Sequence, residues 1–323
     1  MAVVLLLCIL FSVSIGVAGG GIGSLFHALV QSLVHPSDLS DIGRIMLEMR
    51  IPRALAACLV GAALALAGAV MQGITRNPLA DAGLLGINAG AGLFVALGAV
   101  ILPALSSFSL MLASFFGAAA AALMVFGFGT GRHGAGTIRL ILAGAAVSAF
   151  LTALSQGVSL TFGLSKELSF WGSGSLSGIS WEQLAIAAPW LVGAVCAGLF
   201  LSHNLSMLAL GEESAAGLGL NVRLVRLAGL ATVLVLAGTS VSLAGGISFL
   251  GLIVPHSARL LVGTDYRRVL PVSVFLGAIL LVLSDVAARM IHAPFDTPVG
   301  ALVSIIGVPV LLALTYRKRG LAL

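Results

Sequence analysis

Long apolar runs, each close to the length of a bilayer crossing, follow one another along nearly the whole chain. A crossing needs about 20 such residues. Ten segments meet or approach that length: 2–18, 54–73, 84–104, 108–128, 138–162, 183–202, 224–244, 250–263, 269–291 and 299–316. The eighth is too short to cross alone. Hydrophobic residues make up 59% of the 323 and charged residues 8%, with a mean hydropathy of +1.17. A soluble domain carries about a quarter charged residues, and no water-soluble fold hides this much apolar surface. The sequence therefore predicts an all-α polytopic membrane protein of about ten transmembrane helices. A β-barrel would show short alternating strands, and none is evident. No repeat, linker or low-complexity stretch divides the chain, so residues 1–323 read as one transmembrane domain. Met1 to Val17 lacks the basic start of a signal peptide and is followed by further spans, which makes it a retained first span.

The net charge of +5 comes from basic residues scattered between apolar runs, with no patch of the kind that binds nucleic acid. The charges speak of topology instead. Ten crossings put both termini on one side. With the N-terminus inside, Arg44, Arg50, Arg53, Lys166 and Arg289 lie outside, and the other eleven of the sixteen basic residues lie inside. The positive-inside bias then predicts cytoplasmic termini in a cell membrane, with Tyr316-Arg317-Lys318-Arg319 as a cytoplasmic anchor. Cys8, Cys58 and Cys196 each sit in an apolar run and read as small buried hydrophobes. Gly61, Ala65, Ala69 and Gly73 recur every four residues and make one smooth face for a close helix neighbour.

Catalysis finds little support. The only lysines are Lys166 and Lys318, neither follows a glycine, and so the chain has no G-x-x-x-x-G-K-[ST] phosphate loop of its own. The six histidines show no paired metal-ligand spacing, so no metal or cofactor is expected on this chain.

What remains are polar residues at particular places. Arg50-Ile51-Pro52-Arg53 stands at the outer mouth of the second span, where two arginines at i and i+3 project on neighbouring faces. They either snorkel to the interface or meet a partner outside. Arg289 closes the ninth span one turn after Asp285, a spacing that permits an ion pair. An intramembrane Asp is a functional candidate, and a purely structural pair is the alternative. In the stretch from Pro294 to Gly300, Asp296 or Thr297 can cap the last span and Pro298 can open it. The longest inner loop, His203 to Arg223, carries Gly211, Glu212 and Glu213 ahead of Ala216, Gly217 and Gly219. Acids first and glycines last suit a short capped helix, and order of that kind suits docking to a cytoplasmic partner. In the fifth span Ser148, Thr152, Ser155 and Ser159 share one face with Gln156 beside them, either lining a wet uncharged route or gluing helices together. Gly245-Gly246-Ile247-Ser248-Phe249, just before the short eighth segment, needs protein or a watery cavity around its free backbone groups.

These motifs closely resemble those of FecCD-type permeases, the membrane subunits of ATP-binding-cassette importers for iron–siderophores, haem and cobalamin. The resemblance covers nearly the whole chain. It includes Arg50-Ile51-Pro52-Arg53, Gly68-Ala69-Val70-Met71-Gln72, Asn77-Pro78-Leu79-Ala80 and Gly83-Leu84-Leu85-Gly86. It continues through Leu210-Gly211 to Leu218-Gly219, Gly246 to His256, Pro298-Val299-Gly300 and Gly307-Val308-Pro309. Thr297 departs from it, since the family has a bulky aliphatic there. The resemblance implies a type II ABC importer permease architecture, in which two permease subunits surround a central path. Two cytoplasmic ATP-binding subunits, which use ATP and Mg, would sit beneath them. It implies an external binding protein whose acids grip Arg50, Arg53 and Arg289, and coupling helices around Glu212 to Leu220. Ser148, Thr152, Ser155 and Ser159, with Gly245 and Gly246, would line the path, and His256 reads as a satisfied core histidine. The rival is an ion-coupled secondary transporter, which predicts carboxylates at mid-membrane, and the sequence supplies only Asp285, near an outer end.

Overall fold

The computed structural model describes residues 1–15, 23–24, 26–27, 40–101, 106–129, 137–293 and 295–319. Every regular element among them is helical. Helix α1 spans Ala2–Ser14, α2 Asp41–Arg44 and α3 Ile51–Thr75, with a six-residue π-helical stretch, Ile45–Arg50, joining α2 to α3. There follow α4 Ile87–Ile101, α5 Ser107–Gly129, α6 Thr137–Phe162, α7 Ser165–Gly172 and α8 Trp181–Phe200. The remainder are α9 Ser202–Ala209, α10 Glu212–Gly217, α11 Val222–Ala244, α12 Leu250–Val262, α13 Tyr266–Ile291 and α14 Val299–Arg319.

Each of the ten expected apolar segments falls on one of these helices. Six are long and apolar enough to cross a membrane by themselves, and Ala2–Ser14, Ile87–Ile101 and Leu250–Val262 are shorter, as is the apolar stretch Val299–Val310 with which α14 begins. The expected ends at 16–18 and 102–104, together with Arg132 and Pro294, lie outside the described residues. The second segment differs most from expectation. It runs unbroken from Asp41 to Thr75, 35 residues, or about 52 Å at 1.5 Å per residue. Arg50 and Arg53 therefore sit within a continuous helix and not at the start of one.

Proline explains the π stretch and what is attached to it. In π register each N–H reaches the carbonyl five residues back, and Ile51 donates to Met46 in this way. Pro52 has no N–H for the carbonyl of Leu47. The indole Nε1 of Trp181, the first residue of α8, donates to that carbonyl at 2.8 Å. The same device recurs inside α12. Pro255 cannot donate to the carbonyl of Gly251, and the side chain of Gln72 on α3 donates to it instead, at 3.1 Å.

Helix α3 is the axis of the molecule, buried along nearly its whole length against α13, α11, α12 and α8. Two glycine contacts bring backbones together. A Cβ at Gly61 would stand 2.3 Å from the carbonyl oxygen of Gly277 on α13, and one at Gly68 would stand 2.1 Å from that of Gly251 on α12. In a membrane, where lipid is as apolar as leucine, such close packing supplies much of the drive for association. The expected small-residue stripe is thus used in part: Gly61 and Ala65 face α13, and Gly73 packs on Leu205 and Tyr266. Gly68, off the stripe, makes the second contact.

Because Gly61 and Gly277 touch through backbone, Gly61→Val is expected to destabilise the protein by about 1–3 kcal/mol through overpacking. Gly217→Ala, where an added Cβ meets open space, should change stability by less than about 0.5 kcal/mol. Reversible unfolding in detergent micelles measures both.

Candidate functional site

At one end of the bundle four charged groups from three segments meet. Arg53 on α3 donates Nε to Asp285 on α13 at 2.8 Å, and its two terminal nitrogens grip Asp296 at 3.0 and 3.2 Å. Asp285 is fully buried, and its second oxygen forms an ion pair with Arg289 Nε at 3.1 Å, without hydrogen-bond geometry. The i,i+4 pair expected from sequence is present, and Arg53 joins it from another helix. Asp296 spends its carboxylate on Arg53, and α14 begins directly after Pro298. Burial pushes the Asp296 carboxyl up, but the bonds from Arg53 and Ser177 outweigh that and hold it below the ordinary carboxylate range.

Arg289 of this network and the neighbouring Arg50 also close α1. The last carbonyls of a helix have no partner within it, and positive charge is favourable there. Arg289 donates to the carbonyls of Ser12 and Ile15 and to the Ser12 hydroxyl, at 3.0, 3.1 and 2.8 Å. Arg50, itself buried, donates to the carbonyl of Val13 at 3.2 Å. Arg50, Arg53 and Arg289 are thus brought together, each with partners inside the chain.

A cavity of about 540 Å³ opens between α4, α6 and α7. Thr152, Ser155, Ser159 and Gly246 line it. Ser148 and Gly245 do not. Ser148 packs beside Gly86, and Gly245, at φ +70°, is pressed against the carbonyl of Trp171. Asn88, Gln156, Ser165, Ser169 and Trp171 complete the polar wall. Of these the sequence singled out only Gln156. Ser165, Ser169 and Trp171 come from a helix in what read as an ordinary connection and Asn88 from an apolar span, and only the fold places them around one space. Asp81, which had drawn no attention, borders a separate small cavity of about 20 Å³ with Asn88 and Gly251, the room of about one water molecule.

The glycine-rich segment before α12 finds the protein surroundings it needs. The amide of Gly246 reaches the carbonyl of Trp171 at 3.4 Å, and Ser175 donates to the carbonyl of Ala244 at 2.8 Å. Phe249 then opens α12 from a left-handed conformation. At 13 residues α12 is about 20 Å long, too short for a crossing of about 30 Å.

At the opposite end from the charged network, the expected short helix is present as α10. Glu212 and Glu213 occupy its first turn, Gly211 precedes it and Gly219 takes a positive φ after it. Glu212 is ion-paired with Arg226 on α11. Ala215 faces inward, whereas Ala216 and Gly217 are exposed. His256, half-buried, borders a groove nearby with Arg76, Arg259 and Tyr266.

Asp285→Asn leaves two guanidiniums without their shared counter-charge and should cost about 3–5 kcal/mol of unfolding free energy. Adding Arg53→Gln to that variant should cost clearly less than it does alone, and strictly additive costs would contradict the network. Asp296 makes this end of the bundle acid-sensitive. Its depressed folded-state value means that its contribution is complete above the ordinary carboxylate range, near pH 4, and is lost as pH falls through the lower value. Thermal melts across that range should show a fall in stability that Asp296→Asn removes.

Residues 4–317 match the model of the FecCD transport family. The iron(3+)-hydroxamate import system permease protein FhuB of Bacillus subtilis (strain 168) is 41% identical over 319 residues, covering 97% of this chain and 82% of the relative. The hemin transport system permease protein HmuU of Yersinia pestis is 38% identical over 325 residues, covering 97% and 95%. A solved structure of a metal-chelate type ABC transporter, in an inward-facing conformation, superposes with a TM-score of 0.84 at 28% identity, covering 98% and 97% of the two chains. With nearly the whole length matched by sequence and by fold, the chain belongs to the FecCD transport family.

Proposed function

We propose that this chain is the membrane-spanning permease subunit of an ATP-binding-cassette importer for an iron–siderophore, haem and cobalamin being the other chelates that suit such a path. The observation that carries this reading is the wall of hydroxyls and amides on α6. Thr152 and Gln156 are exposed on a helix long and apolar enough to span, and hydrocarbon would leave their polar atoms unsatisfied. A face of this kind belongs against a second permease subunit and a watered path between the two. A cavity of about 540 Å³ lies in the size range of small-molecule sites, and an uncharged lining lets a bulky chelate pass without being trapped. In this reading the chain acts as one permease domain in the cell membrane, with both termini cytoplasmic.

The energy comes from two cytoplasmic ATP-binding subunits, which use ATP and Mg. Residues 203–223 meet them through α10, with Gly211, Glu212, Glu213, Ala216, Gly217 and Gly219 at the contact. ATP-driven closure of the ATPase pair shifts the path between outward and inward access. On the outer side Arg50, Arg53 and Arg289 receive the acids of a substrate-binding protein. Three guanidiniums against two carboxylates, Asp285 and Asp296, leave one positive charge over, and a docking acid would share Arg53 and Arg289 with those carboxylates.

Single cysteines at positions 152, 155 and 159, in a background without Cys8, Cys58 and Cys196, should react with a small aqueous thiol reagent. Their reactivity should change when the assembled importer binds nucleotide. Cysteines replacing Phe150 and Leu154, exposed apolar residues of the same helix, should stay unreactive. Equal silence on both faces would make the hydroxyls packing glue. Uptake driven by an ion gradient in vesicles without any ATPase subunit would restore the secondary-transporter reading.

A further inference from the structure

Arg76 occupies a backbone position that favours glycine. It ends α3 in the left-handed region, at φ 52° and ψ 32°, with its N–H on the carbonyls of Gln72 and Gly73. A Cβ is unfavourable there, which is why helices so often stop on glycine. Among the described residues only Phe249 shares a positive φ without being glycine. Strain of this kind persists where the side chain has a use. Yet the guanidinium is exposed and has no hydrogen bond or ion pair among the described residues.

Its surroundings point to that use. Arg76 borders two open grooves. One, of about 440 Å³, runs along Gly211, Glu212 and Glu213 at the start of α10, and the other, of about 530 Å³, holds Arg259, His256 and Tyr266. Arg259 is fixed in place, donating to the Gln72 side chain at 2.5 Å and lying 5.9 Å over the Tyr266 ring. No acid is among the described residues lining that second groove. Of the nearby acids, Glu212 pairs with Arg226, and Asp265 with Ser206 and the amide of Arg267, while Glu213 lines the first groove and forms no ion pair with Arg76.

We propose that Arg76, with Arg259 behind it, receives an acidic side chain of the cytoplasmic ATPase subunit beside α10. This rests on the reading of α10 as the ATPase-docking helix. The grooves are open, so water would screen a small free anion there. A carboxylate carried in by a protein already seated on α10 is partly desolvated on arrival and gains more from the pair of guanidiniums.

Affinity of the purified permease for its ATPase subunit, measured in detergent at several salt concentrations, tests the proposal. Arg76→Gly suits the left-handed backbone, so its melting temperature should equal or exceed that of the unsubstituted protein. It should nevertheless bind the ATPase about fivefold more weakly at low salt, the scale of one exposed ion pair, and with a shallower salt dependence. Arg76→Glu should bind more weakly still, and Arg76→Lys should keep most of the affinity. Unchanged affinity and salt slope in both Arg76→Gly and Arg76→Glu would overturn the proposal. Gly217→Trp in the same assay separates the two readings. If it weakens binding while the Arg76 variants do not, α10 docks the ATPase without Arg76. If it too is silent, the docking helix itself is misassigned. Weakening by inorganic phosphate beyond that of chloride at equal ionic strength would mark a free-anion site and equally overturn the proposal.

Discussion

In hydrocarbon no water stands ready to satisfy a backbone group, so every N–H and C=O within the spans must find its partner inside the protein. The irregular features of this chain are answers to that constraint. Pro52 leaves the carbonyl of Leu47 without a donor, and Trp181 supplies one. Pro255 does the same to Gly251, and Gln72 answers. The open carbonyls at the end of α1 take Arg50 and Arg289, and the break before α12 is met by the segment around Trp171. Each partner comes from a distant part of the chain. The broken places in the helices are therefore also the places where the bundle is tied together.

Close backbone contact makes those ties geometrically possible. Gly68 and Gly251 let α12 lie against α3, which puts the carbonyl of Gly251 within reach of Gln72, one turn further along α3. Gln72 in turn accepts from Arg259, one turn beyond Pro255. A single chain of contacts thus runs from a glycine crossing, through a proline-freed carbonyl, to an arginine on the groove that Arg76 borders. At the other end the Gly61–Gly277 crossing aligns α3 with α13, so that Arg53 meets Asp285. Desolvation of a lone Asp285 would be prohibitive, and two guanidiniums make its burial tolerable.

Much of the candidate site was legible because polar chemistry in a membrane stands out. Arginines at a span end, an intramembrane Asp, a hydroxyl face on the fifth span and an acid-opened, glycine-closed loop are all conspicuous against an apolar background. Their partners were less so. Asp296 read as a helix cap, yet its carboxylate goes to Arg53, 243 positions away in sequence. Ser148 shares a helical face with Thr152 but packs under Gly86, because helical spacing fixes direction and not what stands opposite. Asn88, Ser165, Ser169 and Trp171 joined the cavity only when α4 and α7 were folded beside α6.

By itself the sequence determined the class of fold, the ten apolar segments and the presence of a short helix at residues 212–217. Those properties follow from local quantities: the free energy of moving side chains into hydrocarbon, the helical period, and the preferences of Pro, Gly and acidic residues at helix ends. Only the tertiary structure decided which arginine holds which aspartate, which side chain replaces each missing proline N–H, and which hydroxyls share a cavity. Those outcomes depend on where helices far apart in sequence cross. The crossings are set by backbone contact at a few glycines, whose counterparts no local pattern names.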